Sequence, residues 1–310
     1  MRRIIAFVLF FLVALFLSAL TLNGQCASDS FGRASLGSNW TAAPSSSGTL
    51  AIVTLGELAL TSGPTYSSIY WSGSGAFSAQ QASSITIGAV GDAQSNLIWP
   101  TVENSTTAET FYGALVWQGQ IYIQRTVDGM NVGSGSTNMA SNSYTPQAGD
   151  TITINSNGSG GISVTYGPPS SPQSLSVTDP TPLANGLPGI AGYARNNSTA
   201  QWLAAGWSAT GPGCPTLSFV SPASGGPGTV ITVTGTNFVA PASGYLTCPH
   251  ASASTYALTS VSLISSTSVT AIVPTPGSFT PPLTCDVTLD FANGSITISP
   301  PSALTVAPPT

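Results

Sequence analysis

Residues 215–239, PTLSFVSPASGGPGTVITVTGTNFV, constrain the fold more than any other stretch of this 310-residue chain. Two β-type runs flank a turn. Leu217, Phe219 and Val220 lie in the first run, and Val230, Ile231, Val233 and Phe238 in the second. Residues 221–228 between them carry Pro/Gly-rich turn chemistry. The same grammar recurs upstream, with short β-like runs at 50–60, 66–71, 82–90, 96–100, 111–117, 120–127, 151–155, 162–166 and 202–209. Gly, Asn and Ser separate them, and Gln118-Gly119 and Asp128-Gly129 read as hairpin or turn sites. No window outside the N-terminus sustains a helical repeat. The expectation is an all-β chain of about two domains, each large enough to bury a core.

Charge is scarce. Only 5% of residues are charged, against about a quarter in an ordinary globular chain. There is no lysine, and beyond residue 25 the cations are Arg33, Arg125 and Arg195. A Gly/Ser-rich chain with so little charge risks disorder. Hydrophobic residues reach 42%, however, and the β-branched and aromatic ones recur in runs, so a packed β protein is expected. Solubility rests on hydroxyls and amides. Without a basic patch the chain cannot neutralise a phosphate backbone or dock on anionic lipid headgroups, which excludes nucleic acid and acidic membrane surfaces as partners.

Arg2 and Arg3 precede an apolar run from Ile4 to about Leu20, followed by polar residues to Gln25. That order of basic and apolar segments predicts an export signal helix within 1–25, cleaved or retained as an anchor. The residues before Cys26 depart from a lipobox, where a small residue should precede the cysteine. The body of the chain is therefore expected outside the cytoplasm. In that setting Cys26, Cys214, Cys248 and Cys285 read as disulfide partners with three pairings open. Zinc is disfavoured, because no CxxC pair occurs and His250 is the only histidine.

Two stretches resemble known modules. SPASGGPGTVITVTGTNF within 215–239 resembles the opening of IPT/TIG domains, immunoglobulin-like modules of extracellular proteins. In the first unit, Asp29-Ser-Phe31-Gly-Arg33 followed by Leu36-Gly37-Ser38-Asn39-Trp40 resembles the start of concanavalin A-like (laminin G-like) jelly rolls in bacterial and phage surface proteins. Ala148-Gly149-Asp150-Thr151-Ile152 resembles their turn into a strand, and 179–192 their penultimate loop. The implied architecture is a jelly-roll sandwich over 26–210, a linker at 211–214, a smaller immunoglobulin-like sandwich over 215–307 and a Pro-rich tail at 308–310. Keeping each bridge within one domain selects Cys26–Cys214 and Cys248–Cys285. The jelly-roll resemblance, which implies adjacent first and last strands, supports the first of these pairs.

Related jelly rolls include glycoside hydrolases, which need two carboxylates across the scissile bond. The run of alternating acidic residues on one strand that marks jelly-roll glucanases is missing. Glu103 and Glu109 read as exposed loop carboxylates, and His250 as a turn histidine without a nucleophile elbow. No enzyme is expected. Glycan binding is the leading expectation, with Trp99, Tyr112, Tyr122, Gln124 and Arg125 as candidate ligand-binding residues on or beside the central strands. With Ile121 and Ile123 facing inward, Tyr122, Gln124 and Tyr112 would face the concave surface. The competing reading puts most of these aromatics in the core and pairs Arg125 with Asp128. A structural calcium is the only cofactor the jelly-roll resemblance implies, with Asp29 and Asp179 as its carboxylates; capping of turn amides is their competing role. A purely structural surface or matrix protein is the alternative function, and a glycan hydrolase or lyase a distant one. Six Asn-x-Ser/Thr sites occur, at Asn39, Asn104, Asn157, Asn196, Asn197 and Asn293. The sequence sets no oligomeric state.

Overall fold

The computed structural model describes residues 25–306 except 45, 55, 62–64, 74–76, 92–96, 130–134, 185, 195–201, 241, 249–253, 275–282, 292–293 and 299–303. The expected signal helix, Arg195, His250 and the glycosylation sites at Asn196, Asn197 and Asn293 lie outside the described residues. Everything described is strand, turn or irregular. Among the described residues no helix is long and apolar enough to cross a membrane.

The first fifteen strands are β1 (Gln25–Asp29), β2 (Trp40–Ala42), β3 (Leu50–Thr54), β4 (Glu57–Leu60), β5 (Thr65–Trp71), β6 (Gln80–Ala89), β7 (Leu97–Asn104), β8 (Phe111–Trp117), β9 (Gln120–Thr126), β10 (Ser136–Ser143), β11 (Thr151–Asn157), β12 (Gly161–Gly167), β13 (Gln173–Thr178), β14 (Leu187–Ala194) and β15 (Leu203–Thr210). They form two antiparallel sheets. Sheet A has the order β13-β12-β11-β6-β15-β4-β3, with β1 pairing β15, and sheet B the order β10-β9-β8-β7-β14-β5-β2. One hydrophobic core lies between them. Ile85, Ile87, Ile152, Ile154, Ile162 and Val164 point inward from sheet A and are at most 2% exposed. Ile69, Ile98, Val102, Ile121, Ile123 and Ile190 meet them from sheet B. Side chains in a strand alternate between faces, so the partners of these residues point outward. At one end Trp40, Trp71 and Trp207 pack together, with ring centroids 4.6 to 5.3 Å apart.

The chain ends of this sandwich meet. Asp29 and Ser28 on β1 lie opposite Trp207 and Ser208 on β15, and Cys26 is bonded to Cys214, with a Cα–Cα distance of 4.8 Å. The expected pairing is the observed one, including Cys248–Cys285. By the chain-entropy estimate, a bridge spanning 188 residues stabilises by up to about 5 kcal/mol.

The remaining strands are β16 (Thr216–Ser221), β17 (Ser224–Gly225), β18 (Val230–Thr236), β19 (Ala242–Cys248), β20 (Ser254–Ala257), β21 (Thr259–Ser265), β22 (Ser268–Ile272), β23 (Leu283–Phe291), β24 (Gly294–Ile298) and β25 (Leu304–Val306). One sheet runs β16-β18-β22-β21, the other β17-β25-β23-β19-β20 with β24 beside β23. A second, separate core contains Ile231, Val233, Val269, Val287, Leu289 and the Cys248–Cys285 bridge. Asn237, at φ 58°, donates its side-chain amide to the carbonyls of Pro212 (2.7 Å) and Cys214 (3.0 Å), tying this sandwich to the linker.

Several strands differ from expectation. Residues 50–60 form a hairpin rather than one run, turned at Gly56 with φ 90°. The segment expected as a loop at 187–192 is β14, central in sheet B between β7 and β5. Pro188 obscures it, and the ladder slips in register there, between Leu187 and Gly189. β10 is all but unreadable because an edge strand of Ser, Thr and Asn carries no apolar alternation. The Gln118-Gly119 turn is a two-residue hairpin loop with φ 51° and 72°, the left-handed pair such loops favour.

Gly113 sits where a side chain would collide with Trp99: a Cβ there would lie 2.6 Å from the indole Nε1. Gly113→Ala is expected to cost about 1–3 kcal/mol through overpacking, measured as a lower urea midpoint with unchanged m-value.

Candidate functional site

The candidate ligand-binding residues divide between two faces of sheet B. Tyr112 lies opposite Arg125 on the inward face, alongside Ala114, Ile123, Val116 and Ile121. Tyr112 is fully buried, and its hydroxyl donates to Asp179 Oδ2 at 2.7 Å. It is therefore a core residue and not part of an open surface. Arg125 pairs with Asp179 (Nε–Oδ2 2.9 Å), not with Asp128. That N–H points off the line to the oxygen, so the contact is an ion pair rather than a hydrogen bond. Trp99, Tyr122 and Gln124 share the outward face, but Trp99 is 1% exposed and Gln124 8%. Only Tyr122 of this set is a half-buried aromatic. Burial withdraws Trp99 from solvent, because every residue of β7 is buried. Trp99 Nε1 and Gln124 Oε1 are buried without a hydrogen-bond partner.

Asp29 and Asp179 do not meet. Asp29 accepts both terminal guanidinium nitrogens of Arg33 (2.6 and 2.5 Å), the indole N–H of Trp40 (2.7 Å) and the Phe31 amide (2.8 Å). Burial alone would raise its carboxyl; these four donors outweigh it and hold it below the usual range. Asp179 accepts from Tyr112 and caps the next turn through the Thr181 amide at 2.8 Å. Burial again opposes ionisation, and Tyr112, Thr181 and Arg125 together lower the carboxyl. Each aspartate is a turn cap closed by its own arginine, and among the described residues no three acidic, histidine or cysteine side chains come together as a metal site would need.

Glu103 and Glu109 are buried, not exposed: 3% and 0%. Glu109 accepts from Ser68 Oγ at 3.0 Å. Glu103, at φ 56°, is the second-last residue of the buried run of β7, and its Oε1 accepts from the Ser156 hydroxyl. Burial pushes the Glu103 carboxyl up; the Ser156 bond works against this, and the negative charge of Asp179 adds to it. The Tyr112 hydroxyl is pushed up to about 12 by burial and by Asp179. This polar cluster inside the sandwich had no signal in the sequence, since only the fold brings β7, β8, β9, β11 and residue 179 together.

The open surface lies on sheet A. Its outward residues form rows across hydrogen-bonded strands: Ala82, Asn155, Ser163 and Ser176 in one, Gln80, Asn157, Gly161 and Thr178 in the next. A cavity of about 540 Å³ sits over these rows. A second, of about 320 Å³, lies on the same sheet over Ser84, Thr86, Gly206 and Ser208, beside Asp29. The larger groove has no charged or aromatic lining residue. Ser156 and Gln81 line it from below; they also hold Glu103, through its carboxylate and its backbone N–H respectively. The run at 151–155 was legible as a strand; that its Asn155 faces a groove was not.

No family model matches the sequence, and no curated protein matches it. Among solved structures the chain is similar to Bacteroides ovatus Xyloglucan PUL GH43B, at 14% identity over 59% of this chain and 39% of that one, with a TM-score of 0.42. It is similar to the carbohydrate recognition domain of Emp47p, at 13% identity over 60% and 95% of the two chains, TM-score 0.41. It is also similar to the VIP36 exoplasmic/lumenal domain in its Ca2+/Man3GlcNAc-bound form, at 11% identity over 56% and 84%, TM-score 0.40. Likenesses this distant carry no argument about activity.

The Glu103 carboxyl yields a signed prediction. A carboxyl raised by folding contributes stability that is full below its unfolded value near 4.3 and lost as pH rises through the folded value. Glu103→Gln, which keeps the neutral shape, should raise the melting temperature at pH 8 by a few degrees and change it little at pH 4. Equal effects at both pH values would contradict the assignment.

Proposed function

We propose that this chain is an extracytoplasmic, non-enzymatic protein that binds neutral glycans in the groove on the outer face of sheet A. The observation that carries this reading is the lining: Gln80, Asn155, Asn157, Ser163, Ser176 and Thr178 present amides and hydroxyls around about 540 Å³ with no charged side chain. Groups of this kind both donate and accept, as sugar hydroxyls do. A charged ligand would lose its water without gaining a counter-charge. Cavities of this size suit a small or oligomeric ligand. The two disulfides support export, and the concanavalin A-like motifs support a jelly roll whose open sheet carries the ligand. The second sandwich, with its IPT/TIG-like opening, serves as spacer or second contact.

One observation favours a purely structural surface protein: the groove offers no aromatic platform for a sugar ring. A single experiment separates the two. Disulfide-intact protein is titrated with a panel of neutral polysaccharides, alongside Gln80→Ala/Asn155→Ala. Specific binding that weakens tenfold or more in the variant, at unchanged melting temperature, is expected. Silence across the panel, or equal binding by both proteins, would sink the glycan reading.

A further inference from the structure

A different cavity lies at the other end of β6. The groove adjoins Gln80, and this cavity adjoins Val90, just beyond the other end of the strand, about 30 Å away at the usual rise per residue. It encloses about 180 Å³ between the Val116–Gly119 hairpin turn, the start of β7 at Leu97, the Thr145-Pro146 connection and Trp202 ahead of β15. Leu97, Val116 and Trp202 are buried, while Trp117 is half-buried and Val90 is 39% exposed. The walls are thus mainly apolar, and the lining residues with polar, uncharged side-chain ends are Gln118 and Thr145, both exposed. No charged residue lines it.

The indole N–H of Trp202 is buried without a hydrogen-bond partner. A buried donor left unpaired costs free energy, so such a group marks a place where an acceptor belongs. Two tryptophans, one unfilled donor and two uncharged groups that donate and accept describe a particular occupant. It has apolar C–H faces, carries hydroxyls and bears no charge.

We propose that this cavity is a second binding site, which takes a single neutral pyranose ring. The ring lies against the Trp117 and Trp202 faces, one hydroxyl accepts from Trp202 Nε1, and others exchange hydrogen bonds with Gln118 and Thr145. A prolyl segment also suits tryptophan-lined hollows. It offers only carbonyl acceptors, however, and would leave the acceptor capacity of Gln118 and Thr145 unused. The site does not depend on the sheet A groove.

The test is intrinsic tryptophan fluorescence of the full disulfide-intact chain titrated with methyl pyranosides of differing hydroxyl configuration and with a polyproline peptide. Saturable quenching by at least one pyranoside is expected, weakened tenfold or more in Trp117→Ala and in Thr145→Val. The Thr145 variant tests the site even if the tryptophan variant folds poorly, because Thr145 is exposed. Gln80→Ala/Asn155→Ala should leave this quenching unchanged, so failure here and failure of the groove remain distinct. Saturation by polyproline alone, quenching equal in wild type and both variants, or no saturable response to any pyranoside would overturn the proposal.

Discussion

Everything in the first sandwich depends on two-residue alternation in strands that carry almost no charge. On β11, Ile152 and Ile154 point into the core while Thr151, Thr153 and Asn155 point out. On β12, Ile162, Val164 and Tyr166 do the former, and Ser163 and Thr165 the latter. The inward set supplies the burial that holds the sheets together, roughly 25 cal/mol for each Å² of apolar surface removed from water. The outward set keeps a chain with no lysine in solution. Aligned by the ladder, Asn155 and Ser163 of that outward set line the groove. Core and candidate site are therefore two faces of one pattern, and a one-residue slip of register would exchange them.

Charge is spent sparingly, and where it occurs it closes turns. Arg33 forks onto Asp29 near the start of the chain, and Arg125 meets Asp179 under the loop after β13. The acidic residues that sequence reasoning set aside as exposed, Glu103 and Glu109, are held within the sandwich by Ser156 and Ser68. Glu103 lies directly behind two residues of the groove wall. Burial raises that carboxyl and so disfavours its charged form behind a wall that itself carries no charge.

The strands with β-branched alternation were readable, as were the turn at Gln118-Gly119 and the disulfide pairing. Strands without that signature were not: β10 is polar because it is an edge, and β14 hides behind Pro188 and two glycines. The residues of the candidate site were harder still. Aromatic content pointed to Trp99 and Tyr112, but a large ring on a central strand covered by other chain is core before it is surface. The polar lining of the groove is Ser, Thr, Asn and Gln, residues so common in this sequence that only strand register singles out the ones that converge. The two tryptophans of the smaller cavity lie 85 positions apart and meet only through the fold.

The central claim is that ligand binding belongs to the outer face of sheet A. Hydrogen–deuterium exchange of the disulfide-intact protein, with and without a neutral polysaccharide that it binds, tests this most directly. The account predicts added protection concentrated in β6, β11, β12 and β13, with the second sandwich unchanged. Protection confined to β7, β8 and β9 of sheet B, or to the second sandwich, would contradict it.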